Sequence, residues 1–168
     1  MDRRDVLTIS GSLALATTLA GCAGDSPGSD TDTDAAADDS DMSSDLDLRE
    51  ANVVGVEFDD GDGSYDFTVS LRHDDAGEAG YADWWQVERL DGTQLGRRDL
   101  LHAHENEQPF ERSETIEVPT DVTCVVVRGH DQTHGYGGRA VVVNLDAGAQ
   151  NAIRQGSDRQ SVTETECP

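Results

Sequence analysis

The chain has 168 residues, a net charge of -23 and 35% hydrophobic residues, enough for one modest domain and too few for two. All twelve basic residues are arginines, set against 35 Asp and Glu. No basic face can form, which sets nucleic acids aside as partners.

Arg3-Arg4 opens a segment whose stretch from Val6 to Gly21 is weakly apolar, and Leu19-Ala20-Gly21-Cys22 matches a lipobox. The combination resembles a twin-arginine lipoprotein signal. That resemblance implies export of a folded protein, loss of residues 1–21, and a lipid on Cys22 that anchors the chain at the outer face of the cytoplasmic membrane. The apolar stretch is too short and polar to span a bilayer, which takes ~20 mostly apolar residues. Residues 22–50 are Asp, Ser, Gly, Thr and Ala with hardly a large apolar side chain. Such a composition cannot offset its ordering entropy and predicts a disordered acidic tether. The acidic, lysine-free surface resembles that of proteins from extreme halophiles. In molar salt the Debye length is ~3 Å, so such a surface hydrates the protein but attracts no partner from a distance.

Strand signals then recur at short intervals. Asn52 to Phe58 precedes an Asp-Gly turn; Tyr65, Phe67, Val69 and Leu71 alternate with polar residues; Trp84 to Leu90 and Gln94 to Leu101 flank Asp91-Gly92-Thr93. Ser113 to Val118 stops at Pro119, Val122 to Arg128 is a continuous apolar run suited to a central strand, and Arg139 to Leu145 closes the set. No segment carries a helical period. About seven short antiparallel strands predict an all-β immunoglobulin-like sandwich over residues 51–147, with a Trp of the third strand in its core and 148–168 as a polar tail.

If each strand reverses the last, the loops at 72–83, 101–112 and 129–138 share one end of the sandwich. All five histidines fall there: His73, His102, His104, His130 and His134. The segment from Arg128 to Gly138 concentrates two of them with Asp131 and Tyr136 among glycines. The pattern predicts a metal site built from His102, His104, His130 and His134, with His73 and Asp131 as auxiliary groups and Asp83 able to orient a ring. Imidazole donors suit Cu(II) or Zn before Fe, and the lack of any Met in the domain argues against thioether-bound copper. The alternative reading has these histidines hydrogen-bonding loop backbones.

His134-Gly135-Tyr136, with Trp84 or Trp85 in a comparable strand, is similar to the late Cys-x-x-His-Gly-x-Trp segment of superoxide reductases of the desulfoferrodoxin class. Those are immunoglobulin-like domains whose iron is held by four histidines and a cysteine. Here Asp131 stands where that cysteine belongs. Tyr81-Ala82-Asp83-Trp84-Trp85, Leu100 to His104, Glu107 to Phe110 and Gly129-His130-Asp131 also resemble a group of small exported proteins with no assigned activity. Cys124 and Cys167 can pair in an oxidising compartment, or Cys124 can serve as a small buried hydrophobe. Asp60 to Asp66 reads as an acidic turn rather than a calcium loop, and Ser113 lacks the surroundings of a nucleophile. Three function classes follow. The first is a lipid-anchored extracytoplasmic binding module with a membrane and a protein or glycan as partners; the others are a redox metalloenzyme using the same histidines and a structural surface lipoprotein.

Overall fold

The structure, a computed structural model, describes residues 46–75 and 77–168. The twin-arginine segment, Cys22 and the tether up to residue 45 lie outside the described residues.

Strands β1 (Asn52–Asp60), β2 (Ser64–Arg72) and β5 (Phe110–Glu117) form an antiparallel sheet in the order β1-β2-β5. Its alternation is strict: Phe67, Val69 and Leu71 are buried while Asp66, Thr68 and Ser70 face outward, as the two-residue period of a pleated strand requires. On the outer face the Thr68 and Ser113 hydroxyls lie 2.8 Å apart and Ser70 donates to Glu111 at 2.7 Å. Ser113 therefore has a hydroxyl and not a histidine as its neighbour.

The second sheet contains β3 (Ala82–Arg89), β4 (Gln94–Asp99), β6 (Cys124–Asp131), β8 (Arg139–Asn144) and β9 (Gln150–Arg154) in the order β4-β3-β6-β8-β9, and the two-residue β7 (Gly135–Tyr136) folds back on β6. The three strands β1, β2 and β5 facing β4, β3, β6 and β8 reproduce the immunoglobulin-like arrangement. Trp85 and Val87 of β3 enter the core between the sheets with Phe67, Leu71, Phe110, Val125 and Val127. Unlike antibody domains, this sandwich has no disulfide between β2 and β6. Apart from β7, which runs on in the direction of β8, the strand register makes every connection reverse direction: Asn52 pairs with Arg72, Ala82 with Asp131, and Arg139 with Arg154 at one end, while Cys124 pairs with Asn144 at the other. All five histidines lie at the first of these ends.

The sandwich extends beyond residue 147, because β9 adds a strand to the second sheet. The chain then crosses the outer face of that sheet as a strap. Val162 packs on Val126, Ala140 and Val142. Arg128, 1% exposed, donates from Nε to Glu88 at 2.9 Å, from Nη1 to Gln155, and from Nη2 to the Gln160 carbonyl at 2.8 Å. Cys167 is joined to Cys124 by a disulfide with a Cα separation of 6.1 Å. The polar tail expected over 148–168 is instead the cover of the second sheet. Its anchors are a buried ion pair, amide side chains and one covalent bond, none of which shows as hydrophobic periodicity.

Candidate functional site

The histidine end is organised around a buried aspartate that the sequence offered no reason to single out. Asp75 follows β2, and its Oδ1 accepts the Ala82 amide at 3.0 Å while its Oδ2 accepts the His104 amide at 2.6 Å. His73 Nδ1 lies 2.5 Å from Asp75 Oδ1, and His73 Nε2 donates to the Arg49 carbonyl at 3.0 Å. Asp131 Oδ2 stands 4.0 Å from the same Nε2. Burial pulls the His73 pKa down, but the Asp75 hydrogen bond and charge, with Asp131 behind them, raise it above the ordinary histidine value. Burial pushes the Asp75 carboxyl up, while the bond to His73 and the two amides hold it below the usual carboxylate range. The result is a histidine–carboxylate pin that joins the 46–51 lead-in, the β2–β3 loop and the β4–β5 connection, with Asp131 of the β6–β7 turn beside it. With both ring nitrogens committed to protein partners, Nδ1 to the Asp75 carboxylate and amide and Nε2 to the Arg49 carbonyl, His73 is a structural group and not an auxiliary metal ligand.

Asp131 closes the β6–β7 turn. Its Oδ1 accepts the Thr133 amide at 2.8 Å and the His134 amide at 2.6 Å, with His134 Nδ1 3.4 Å away. Gly135, at φ 83, supplies the left-handed residue that this turn needs. Gly129 and Gly137 serve a different purpose: a Cβ at either would overlap the Ala51 carbonyl. Their lack of side chains lets the lead-in lie across β6 and β7 at the histidine end.

His130 belongs to a separate cluster. Successive strand residues face opposite sides, so Asp131 turns inward to His73 while His130 sits on the outer face of the second sheet. Its ring stacks on Trp84 with centroids 4.3 Å apart, Tyr136 meets both rings edge-on, and the Arg97 guanidinium covers Trp84 at 3.9 Å. Asp83 Oδ1, 2.6 Å from His130 Nδ1, fixes the ring. Asp83 therefore has the orienting role that the sequence suggested for it, toward a stacked histidine.

The third setting is the β4–β5 connection. His104 stacks on Phe110 with centroids 3.9 Å apart, and its side chain is only 3% exposed. Neither ring nitrogen has a hydrogen bond; Nδ1 is 3.6 Å from Asp75 Oδ2. Burial, helped by the Arg112 and His102 charges, lowers the His104 pKa below the ordinary value and favours a neutral ring. Leaving buried polar atoms unpaired costs about 1–3 kcal/mol each. The exposed His102 ring lies 4.7 Å from it, centroid to centroid. Both line an open cavity of about 380 Å³ with Glu78, Ala103, Glu105, Asn106 and Glu107.

The loops converge as the strand count required, but His102, His104, His130 and His134 do not meet at one point. Among the described residues no group of three or more His, Cys, Asp or Glu is arranged around a common metal position. The count of strand reversals fixes the end a residue reaches and leaves open the face it points from. The superoxide reductase ligand set is not assembled either. Cys124 is bonded to Cys167 at the far end of β6, and Asp131 in the cysteine position is occupied in holding its own turn.

No protein-family model matches the chain, and no solved structure matches it. A protein of Halomicrobium mukohataei that bears the provisional name of a lipoprotein is 60% identical over 126 residues, or 74% of this chain. The chain spans 62% of that relative's length.

Proposed function

We propose that this chain is an exported lipoprotein: Cys22 carries the lipid, and the sandwich is a binding module held at the outer face of the cytoplasmic membrane with its histidine end as the binding end. The observation that carries the reading is the lipobox behind a twin arginine in a chain whose 60% identical relative bears a lipoprotein name. The acidic, lysine-free composition suits a protein that works in concentrated salt. At the histidine end, four lengths of backbone are pinned to one another through His73 and Asp75. Rigid loops of this kind on a β-scaffold are where binding residues are commonly carried. A protein or glycan of the cell surface is the class of partner such a module takes.

The test is expression of the full chain in a salt-adapted host that has twin-arginine export, beside Cys22→Ser and an Arg3→Lys, Arg4→Lys pair. The parent is expected in the membrane fraction with a lipid mass on an N-terminal Cys22. Cys22→Ser is expected free of the membrane, and the arginine pair retained inside the cell. A parent recovered from the cytosol with Met1 in place sinks the reading.

A further inference from the structure

We propose that the cavity between Glu78 and the β4–β5 connection is a site for a divalent transition-metal ion, Zn(II) or Cu(II), with His104 and His102 as its imidazole ligands and Glu78, Glu105 and Glu107 as its carboxylate rim. The proposal deepens the reading of the histidine end as the binding end, and it assigns that end a ligand class.

Four observations support it. First, His104 is one of the residues that line the cavity, and it is buried and packed flat on Phe110 with both ring nitrogens closed off from solvent and without a hydrogen-bond partner. A protein that commits an aromatic stack to holding an imidazole, yet gives its nitrogens nothing to bond, has left that ring for something else. Second, Asp75 Oδ2 stands 3.6 Å behind Nδ1, the position from which a carboxylate orients a metal-binding histidine through its other nitrogen. This leaves Nε2 as the coordinating atom. Third, His102 presents a second ring 4.7 Å from the first. Fourth, apart from Ala103 the rest of the lining is acidic or amide, from Glu78, Glu105, Asn106 and Glu107. An anion is repelled from such a rim, whereas a cation that accepts nitrogen and oxygen ligands together is attracted.

In the structure the two imidazole rings are neighbours, and no three of the described His, Cys, Asp or Glu side chains converge on one position. Glu78 and Glu105 are exposed, and Glu107 reaches Arg112 at 3.3 Å across the surface. A bound ion would draw one or two of these carboxylates inward to complete its shell. His130 and His134, each already held by its own aspartate, are not part of the site.

The experiment uses the full chain carrying Cys22→Ser, which keeps it off membranes and removes a competing thiol, in molar NaCl. Zn(II) is titrated by calorimetry while the ring nitrogens are followed by ¹⁵N NMR. One equivalent is expected to bind, shifting the His104 and His102 nitrogens and leaving those of His130 unmoved. His102→Ala, an exposed replacement, should weaken binding at least about tenfold, as should Glu78→Gln, Glu105→Gln and Glu107→Gln combined. His130→Ala should leave the affinity as in the parent. Because replacing His104 can unfold its loop, its part is read from the nitrogen shift in the intact protein. No saturable binding, equal binding in His102→Ala, or shifts centred on His130 or His134 overturns the proposal. This measurement does not depend on lipid, so its failure leaves the lipoprotein reading standing, and a failed fractionation leaves the metal site standing.

Discussion

Removing the Cys124–Cys167 bridge tests how much of this fold depends on one covalent bond. The bond closes a loop with a sequence separation of 43. In the chain-entropy model, cross-linking a loop of that length lowers the entropy of the unfolded chain enough to stabilise the fold by about 4 kcal/mol at 25 °C. Small domains are stable by about 5–15 kcal/mol in all, so the loss is a large share. The perturbation is Cys124→Ser with Cys167→Ser in a chain that also carries Cys22→Ser, which leaves no stray thiol, beside the Cys22→Ser parent reduced by dithiothreitol. Urea unfolding in molar salt is the assay. With an m-value of about 2 kcal/mol/M, the midpoint should fall by about 2 M in both forms, with m rising slightly because the unlinked chain exposes more surface. A fall under about 0.5 M at unchanged m refutes the entropic reasoning. A fall well above about 3 M refutes it in the other direction, showing that the strap detaches and uncovers Arg128 and Glu88 in the folded protein.

Further outcomes follow from the buried polar groups. Glu88→Gln strands the Arg128 charge beneath the strap and should cost about 3–5 kcal/mol, whereas Glu88→Leu combined with Arg128→Met should recover most of it; both are read from urea midpoints. In metal-free protein, stability should form a plateau in pH. The His73 pKa is raised on folding, so its contribution is complete below the ordinary histidine range and is lost as pH climbs through the raised value. The Asp75 pKa is lowered, so its contribution holds above the ordinary carboxylate range and is lost as pH falls. A midpoint that rises steadily with pH through the alkaline range, or a His73→Gln variant that keeps the alkaline limb, contradicts this. Gly137→Ala sets a methyl group against the Ala51 carbonyl and should cost about 1–3 kcal/mol; faster amide exchange over residues 48–52 reports the loosened lead-in.

The strands that face a core were legible because their chemistry is periodic. Phe67, Val69 and Leu71 declare β2, and Cys124 to Val127 declare a strand with neighbours on both sides. The core tryptophan expected of the third strand is Trp85, while its neighbour Trp84 stacks on His130 at the outer face. What stayed hidden is held by polar contacts. β9 has only Ala152 and Ile153 to mark it, and the strap after it has Val162. Asp75 looked like one more acid in a Gly- and Asp-rich loop, and only its burial and its two backbone donors single it out. The histidine cluster was read to the correct end of the molecule and divided only by facing. His130 and Asp131 are neighbours in sequence, and they serve opposite sides of a sheet.

The path of the chain gives the molecule two mechanically different poles. It enters at residue 46 beside the histidines, where Asp74 donates to the Leu48 carbonyl, and it leaves at Pro168, whose carbonyl accepts from Asn144 at the other end. Tension drawn between the two termini passes through the sulfur bridge between Cys124 and Cys167 and bypasses β6, β7, β8, β9 and the strap. Stretched to rupture, the molecule would pay out about 150 Å less chain than its length suggests, the extent of the 43-residue bypass at ~3.5 Å per residue. A module held from its N-terminus is thus gripped by its histidine pole, and the opposite pole is the one closed by a covalent bond.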